Sequence, residues 1–168
     1  DYLLVPVGGG GLLAGCSIIN SSLSKRTKVI GVETKFYPSL FNIFYKQKLK
    51  CGGSTIAEGI AVKEIGSIPY SHIKDKIDGT ISVSDTSIEQ AIAMLALTEK
   101  VVVEGAGAVG LAAIIENQKK FKNKNVGIIL CGGNIDSKIL SSILMRDLVR
   151  ARQITTMTIT MPDKPGQL

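Results

Sequence analysis

Four consecutive glycines at positions 8–11 are the residues of this chain best suited to holding a ligand. An apolar run at residues 2–7 precedes them, and residues 12–23 follow with good helix formers at helical apolar spacing. That order predicts a buried strand, a tight backbone loop and the first turn of a helix. Glycine accepts positive φ and lets a ligand approach the main chain, and the N–H groups of the loop and first turn favour an anion. Phosphate is the expected occupant. No Gly-Lys-Ser/Thr follows, which argues against a nucleoside-triphosphate loop. A dinucleotide loop stays open, because Gly9, Gly11 and Ala14 satisfy G-x-G-x-x-G/A and Glu33 lies near the distance of a ribose-binding acid. A plain strand-to-helix connection is the remaining reading.

Two more stretches bear on chemistry. Gly105, Gly107 and Gly110 form a second G-x-G-x-x-G, but the strand after it ends at Cys131 with no acid for a ribose. Its small residues therefore read better as a helix packed closely on a sheet. Cys131 itself opens a glycine turn, Cys131-Gly132-Gly133-Asn134, behind another apolar run. Ligands of open parallel sheets sit outside the carboxyl ends of strands, and both glycine turns belong on that edge. His72 is the sole histidine and the cysteines 16, 51 and 131 are widely spaced, leaving little for a histidine triad or a zinc site.

The elements that must position these turns are legible from periodicity. Strands are expected at residues 2–7, 28–33, 77–83 and 125–130, and helices at 12–23, 38–47, 86–99 and from 136 or 137 to 152. Ser84 or Asp85 is the expected cap of the helix at 86–99. Residues 51–61 fit neither pattern, and the irregular stretch ends at Gly66 and the turn around Pro69; a loop this long in a compact domain is usually functional or mobile. Strand, helix, strand at this spacing predicts an α/β domain with parallel βαβ units. Residues 155–161 alternate instead, so a new domain is expected from residue 153, after a first domain at 1–152.

Composition narrows the function classes. At 45% hydrophobic residues over 168 positions, the chain is no disordered tail and has room for one domain with a core. No apolar run approaches the roughly 18 residues of a membrane span. The net charge of +6 comes largely from lysine clusters at 46, 48, 50 and at 119, 120, 122, 124, which read as solvated element ends. With no Trp and few aromatics to stack bases, nucleic acid is not an expected partner. Three cysteines, an odd number, suggest reduced thiols and a cytoplasmic setting. The chain lacks an initiator Met and opens inside a strand, so it reads as a piece of a longer protein.

Three stretches together resemble the threonine ammonia-lyase (threonine dehydratase) and serine racemase group of fold-type II pyridoxal-phosphate enzymes. They are residues 5–12 (Val-Pro-Val-Gly-Gly-Gly-Gly-Leu), 103–109 (Val-Glu-Gly-Ala-Gly-Ala-Val) and 130–136 (Leu-Cys-Gly-Gly-Asn-Ile-Asp), with Ala57, Glu58 and Gly59 between. The resemblance implies an open, mainly parallel three-layer α/β fold. It implies that Gly8, Gly9, Gly10, Gly11 and the N–H of Leu12 hold the phosphate of pyridoxal 5'-phosphate. It places Cys131 at the pyridine nitrogen, and Gly59 and Glu104 near the ring. Glu33 matches a divalent-metal carboxylate of serine racemase, but Ser39 stands at the second acid position, so no metal is assigned and Glu33 is kept only as a candidate.

The same resemblance implies an activity and its missing parts. Threonine, and serine as well, would lose the α-proton and β-hydroxyl to give a 2-oxo acid and ammonia. The family's Schiff-base lysine, in a Ser-Phe-Lys motif, and its catalytic serine lie upstream of the glycine loop and do not appear here; no catalytic residue is named in this segment. Residues 158–168, with Asp163, Lys164, Pro165 and Gly166, look like the opening of an ACT regulatory domain. The expected partners are an amino-acid substrate, an amino-acid effector and further copies in a homo-oligomer. By itself this segment is expected to be inactive.

Overall fold

The computed structural model describes residues 1–23, 26–155 and 157–161. Its frame is a four-stranded parallel sheet: β1 (Tyr2–Pro6), β2 (Lys28–Thr34), β3 (Gly79–Val83) and β4 (Val126–Ile128), in the order β3-β2-β1-β4. β1 lies inside the sheet and reads as an unbroken apolar run because helices cover both faces, leaving Leu4 and Val5 with no exposure.

Two helical layers sandwich the sheet. On one face lie α1 (Gly11–Leu23), α2 (Ser39–Phe44) and α3 (Ser67–Ile73), whose Leu13, Leu40 and Ile73 pack with Val5, Val7 and Val29. On the other lie α4 (Asp85–Met94), α5 (Gly105–Glu116) and α7 (Ser137–Arg150), burying Ile88, Ala112 and Ile143 against Leu4, Ile30 and Val32. A short α6 (Gln118–Phe121) leads into β4. The open parallel three-layer α/β architecture expected from sequence is the one observed.

Local chemistry sets the helix ends. Ser84 Oγ accepts from Ser87 N–H at the start of α4, and Asp136 caps α7 by accepting from Lys138 and Ile139 N–H at 2.8 and 3.2 Å. Several boundaries differ from expectation. α2 stops at Phe44 rather than 47, where Lys46 takes a φ of +53°. Pro69 sits in the first turn of α3, not in a turn between elements, because a first-turn residue needs no N–H donor. The helix expected at 86–99 is α-helical only to Met94 and widens into a π-type turn at Leu95–Glu99.

The tail also differs. Thr155 and the described residues 157–161 are exposed and form no strand, so the alternating pattern there has no partner to pair with. The Pro-Asp-Lys-Pro-Gly stretch read as an ACT opening lies outside the described residues.

Candidate active site

The glycine loop leaves β1 at the carboxyl edge of the sheet. Gly10 takes a φ of +91°, and a Cβ there would meet Ile65 at 2.8 Å and Pro69 at 3.1 Å, so this position requires glycine. Gly9 and Gly11 differ: a Cβ on either meets no heavy atom within 4 Å, so they border open space. Ala14 N–H, bonded to Gly10 O at 2.9 Å, closes the first helical bond of α1. The N–H groups ahead of it have no helical partner and carry the positive end of the α1 dipole.

The irregular stretch at 45–66 folds over this loop and is fixed from both sides. Asp85, in the first turn of α4, accepts from Thr55 Oγ1 at 2.7 Å and Ile56 N–H at 2.9 Å. Gly66 N–H donates to Gly9 O at 3.1 Å. Between these anchors a single 3-10 turn, Glu58–Ile60, brings Gly59 beside Gly8.

The Cys131 turn closes the opposite side. A Cβ on Gly107 would collide with Cys131 O, and one on Gly105 with Ile56 O, so the start of α5 packs backbone to backbone against both neighbours. That is the close packing expected of the second glycine pattern. Gly132 takes a φ of +77°, and a Cβ there would strike the Glu104 carboxylate; Glu104 N–H donates to Gly132 O at 3.0 Å. Burial pushes the Cys131 thiol up from its ordinary value, and the charge of Glu104 pushes it further. Cys131 is thereby held as a neutral thiol.

These pieces enclose a cavity of about 280 Å³, and all eight residues expected at the cofactor line it: Gly8, Gly9, Gly10, Gly11, Leu12, Gly59, Glu104 and Cys131. Four separate stretches of chain supply them. Pro6, Ile60, Ala106 and Gly132 complete the wall and were not singled out from sequence, though Pro6, Ala106 and Gly132 lie inside motifs that were. A second cavity of about 420 Å³ adjoins, sharing Gly59, Glu104 and Ala106 and adding Glu58, Asn134 and Asp136. Among the described residues no lysine lines either cavity. The donor set fits a phosphorylated pyridine: free N–H groups at a helix start, open space over two glycines, and a neutral thiol across the cavity.

Glu33 is placed elsewhere, which corrects its reading as a ribose-binding acid. It is fully buried and accepts from Leu40 and Phe41 N–H at 2.6 and 2.8 Å, and from Ser39 Oγ and Thr80 Oγ1 at 3.2 Å each. Burial raises its pKa although four donors oppose the shift. The carboxylate is spent holding the start of α2 to the sheet, so the dinucleotide alternative loses its acid. Glu33 is not among the residues lining either cavity described above. Among the described residues no group of three or more His, Cys, Asp or Glu could hold a metal ion. No described helix is long and apolar enough to cross a membrane.

Known proteins are similar to this chain over most of its length. The chain is 39% identical to an L-threonine ammonia-lyase of Thermotoga maritima over 171 positions, covering 100% of this chain and 42% of that protein. An L-threonine ammonia-lyase of Geobacter sulfurreducens is 37% identical over 168, covering 99% and 42%. The chain thus spans about two-fifths of the length of these relatives. Among solved structures, a T.th. threonine deaminase superposes with a TM-score of 0.74 at 32% identity, over 80% of this chain and 46% of that one. Maize serine racemase gives 0.75 at 30%, over 88% and 48%. The family model described as pyridoxal-phosphate dependent enzyme matches residues 1–132, and the chain belongs to that family, with pyridoxal 5'-phosphate as its cofactor.

Proposed function

We propose that this chain is the phosphate-binding and ring-binding part of a threonine ammonia-lyase that also accepts serine, yielding a 2-oxo acid (2-oxobutanoate from threonine) and ammonia. The observation that carries the reading is the convergence of Gly8, Gly9, Gly10, Gly11, Leu12, Gly59, Glu104 and Cys131 on one cavity at the carboxyl edge of a parallel sheet. The similarity of nearly the whole chain to L-threonine ammonia-lyases supports threonine as the substrate.

Pyridoxal phosphate, when bound, supplies an electron-withdrawing ring that acidifies the substrate's α C–H. This chain's own residues hold and tune it. The N–H groups of the glycine loop and of Leu12 would bind the phosphate, while the shape of the loop depends on Gly10 and its contact with Ile65. Cys131, neutral because of burial and Glu104, would face the ring nitrogen without donating a full proton to it. A neutral partner there would leave the ring a moderate electron sink, which would favour β-hydroxyl loss over competing transamination. The irregular stretch at 45–66, anchored by Asp85, excludes water from one side of the cavity. The lysine that takes the α-proton would come from another part of the full-length polypeptide; no described lysine lines the two cavities.

The test is ammonia and 2-oxobutanoate release from threonine by the full-length protein, unmodified and with Cys131→Ser or Cys131→Asp. Serine should preserve elimination. Aspartate, an acid beside Glu104, should lower it and raise side reactions. Full activity of the aspartate variant would remove Cys131 from the ring nitrogen, and absence of threonine turnover in the unmodified protein would overturn the whole reading. We further propose that the full-length protein is a cytoplasmic homo-oligomer whose module beginning near residue 153 takes an amino-acid effector. Titrating isoleucine and valine against its initial rate tests the effector.

A further inference from the structure

Asp85 stands in the first turn of α4 and lines neither cavity, yet a chain of hydrogen bonds from two other stretches ends on it. Its Oδ2 accepts from Ile56 N–H at 2.9 Å and its Oδ1 from Thr55 Oγ1 at 2.7 Å. Thr55 gives its single hydroxyl proton to that bond. Thr34 Oγ1, 3.2 Å from Thr55 Oγ1 and 3.4 Å from Asp85 Oδ1, then donates toward the same carboxylate. Each hydroxyl also accepts from the main chain, Thr55 from Ala57 N–H at 3.2 Å and Thr34 from Phe36 N–H at 3.4 Å. Thr34 and Thr55 are buried, at 0% and 7% exposure, so leaving the chain unmade is costly.

The residues held in this way run straight into the wall of the cofactor cavity. After Thr55, Ile56 and Ala57 comes the 3-10 turn Glu58–Ile60, which carries Gly59 and Ile60 to the cavity. The same residues press on the start of α5. A Cβ on Gly105 would collide with Ile56 O and lie 2.9 Å from Ala57 Cα, and one on Gly59 would meet Ala106 Cβ at 3.2 Å. Gly107, two residues along α5, is packed just as closely on Cys131 O. One short piece of helix, Gly105–Gly107, therefore separates the Gly59 wall from the Cys131 wall, and Asp85 ties the first wall down onto it.

We infer that Asp85 is a positioning residue for this cavity: through Thr55 and Ile56 it sets how far the Gly59 wall stands from the Cys131 wall. The inference rests on the proposed function only for the ligand between the walls, pyridoxal phosphate, whose flat ring tilts if they part. Removing the carboxylate leaves Ile56 N–H and the Thr55 hydroxyl without their acceptor, and residues 55–59 lose their hold on α5. Asparagine can stand in for aspartate by reversing the hydroxyls. Its Oδ1 keeps Ile56 N–H, its amide donates to Thr55 Oγ1, and the Thr55 proton turns to Thr34.

The test is thiol alkylation of the full-length protein stripped of cofactor, read as the rate at Cys131 divided by the rate at Cys16. Both thiols are half-buried, and Cys16 lies on α1 at the other face of the sheet, so general destabilisation speeds the two together. Asp85→Ala should raise the ratio about fivefold over the unmodified protein, and Asp85→Asn should leave it within about twofold. An unchanged ratio in the alanine variant, or an equal rise in both variants, would overturn the inference. Should the alanine variant fail to fold, Thr55→Val removes the hydroxyl alone and should raise the ratio about threefold; no rise would overturn the inference too. With pyridoxal phosphate restored, visible circular dichroism per bound cofactor should fall at least about twofold in Asp85→Ala and recover in Asp85→Asn, whereas equal signals would remove the positioning role. The alkylation ratio needs neither cofactor nor turnover. An unchanged ratio alongside intact ammonia release removes Asp85 and leaves the enzymatic reading standing, and a raised ratio without threonine turnover does the reverse.

Discussion

Gly9 and Gly10 are neighbours in one loop and contribute in different ways. Gly10 holds a left-handed backbone with Ile65 against it, so Gly10→Ala should lower folding stability by about 1–3 kcal/mol in urea unfolding. Gly9 faces open space, and Gly9→Ala should stay within about 0.5 kcal/mol while weakening cofactor retention. Equal destabilisation by the two would contradict the loop geometry. The glycine run and the Cys131 turn were readable from sequence because glycine after an apolar run has few other uses. Glu33 was not readable. An acid at the end of a buried strand looks like a ligand group, and only the fold shows the N–H groups of Leu40 and Phe41 turned onto it.

At the scale of elements, Glu116 ties three of them together at the end of α5. It accepts from Ser84 N–H at 2.8 Å and Ser84 Oγ at 2.6 Å at the start of α4, and pairs with Lys35 after β2 at 3.1 Å. Burial alone would raise its pKa, but these donors outweigh it and bring the carboxyl down to about 2. A depressed carboxyl contributes stability that is present above its ordinary value of 4.5 and lost as pH falls through about 2. Glu116→Gln should therefore cost about 1–2 kcal/mol near neutral pH, discounted for partial exposure, and the gap should close on acidification toward pH 2. A gap unchanged across that range would show that the charge contributes nothing. Element existence was legible from apolar period, whereas ends were not: a positive φ at Lys46 and a π-type turn after Met94 leave no mark in that period.

For the whole molecule, binding and turnover come apart. The 168-residue chain holds the cavity, no described lysine lines it, and Lys35 is engaged with Glu116. Alone, with added pyridoxal phosphate, it should release no ammonia from threonine above a protein-free blank, and borohydride trapping should mark no single lysine. Selective labelling of Lys35 or Lys63 together with turnover would contradict this. The parallel sheet and its layers could be read from sequence because each strand carries its own apolar signal. The tail could not, since the alternation at residues 155–161 becomes a strand only if a partner edge exists. The central claim is that the glycine loop holds the cofactor's phosphate, and retention of pyridoxal phosphate by the full-length protein after gel filtration tests it most directly, comparing the unmodified protein with Gly9→Asp. A carboxylate there enters open space beside the N–H groups without straining the fold. The unmodified protein should keep stoichiometric cofactor and the variant should lose most of it; equal retention by both would contradict the account.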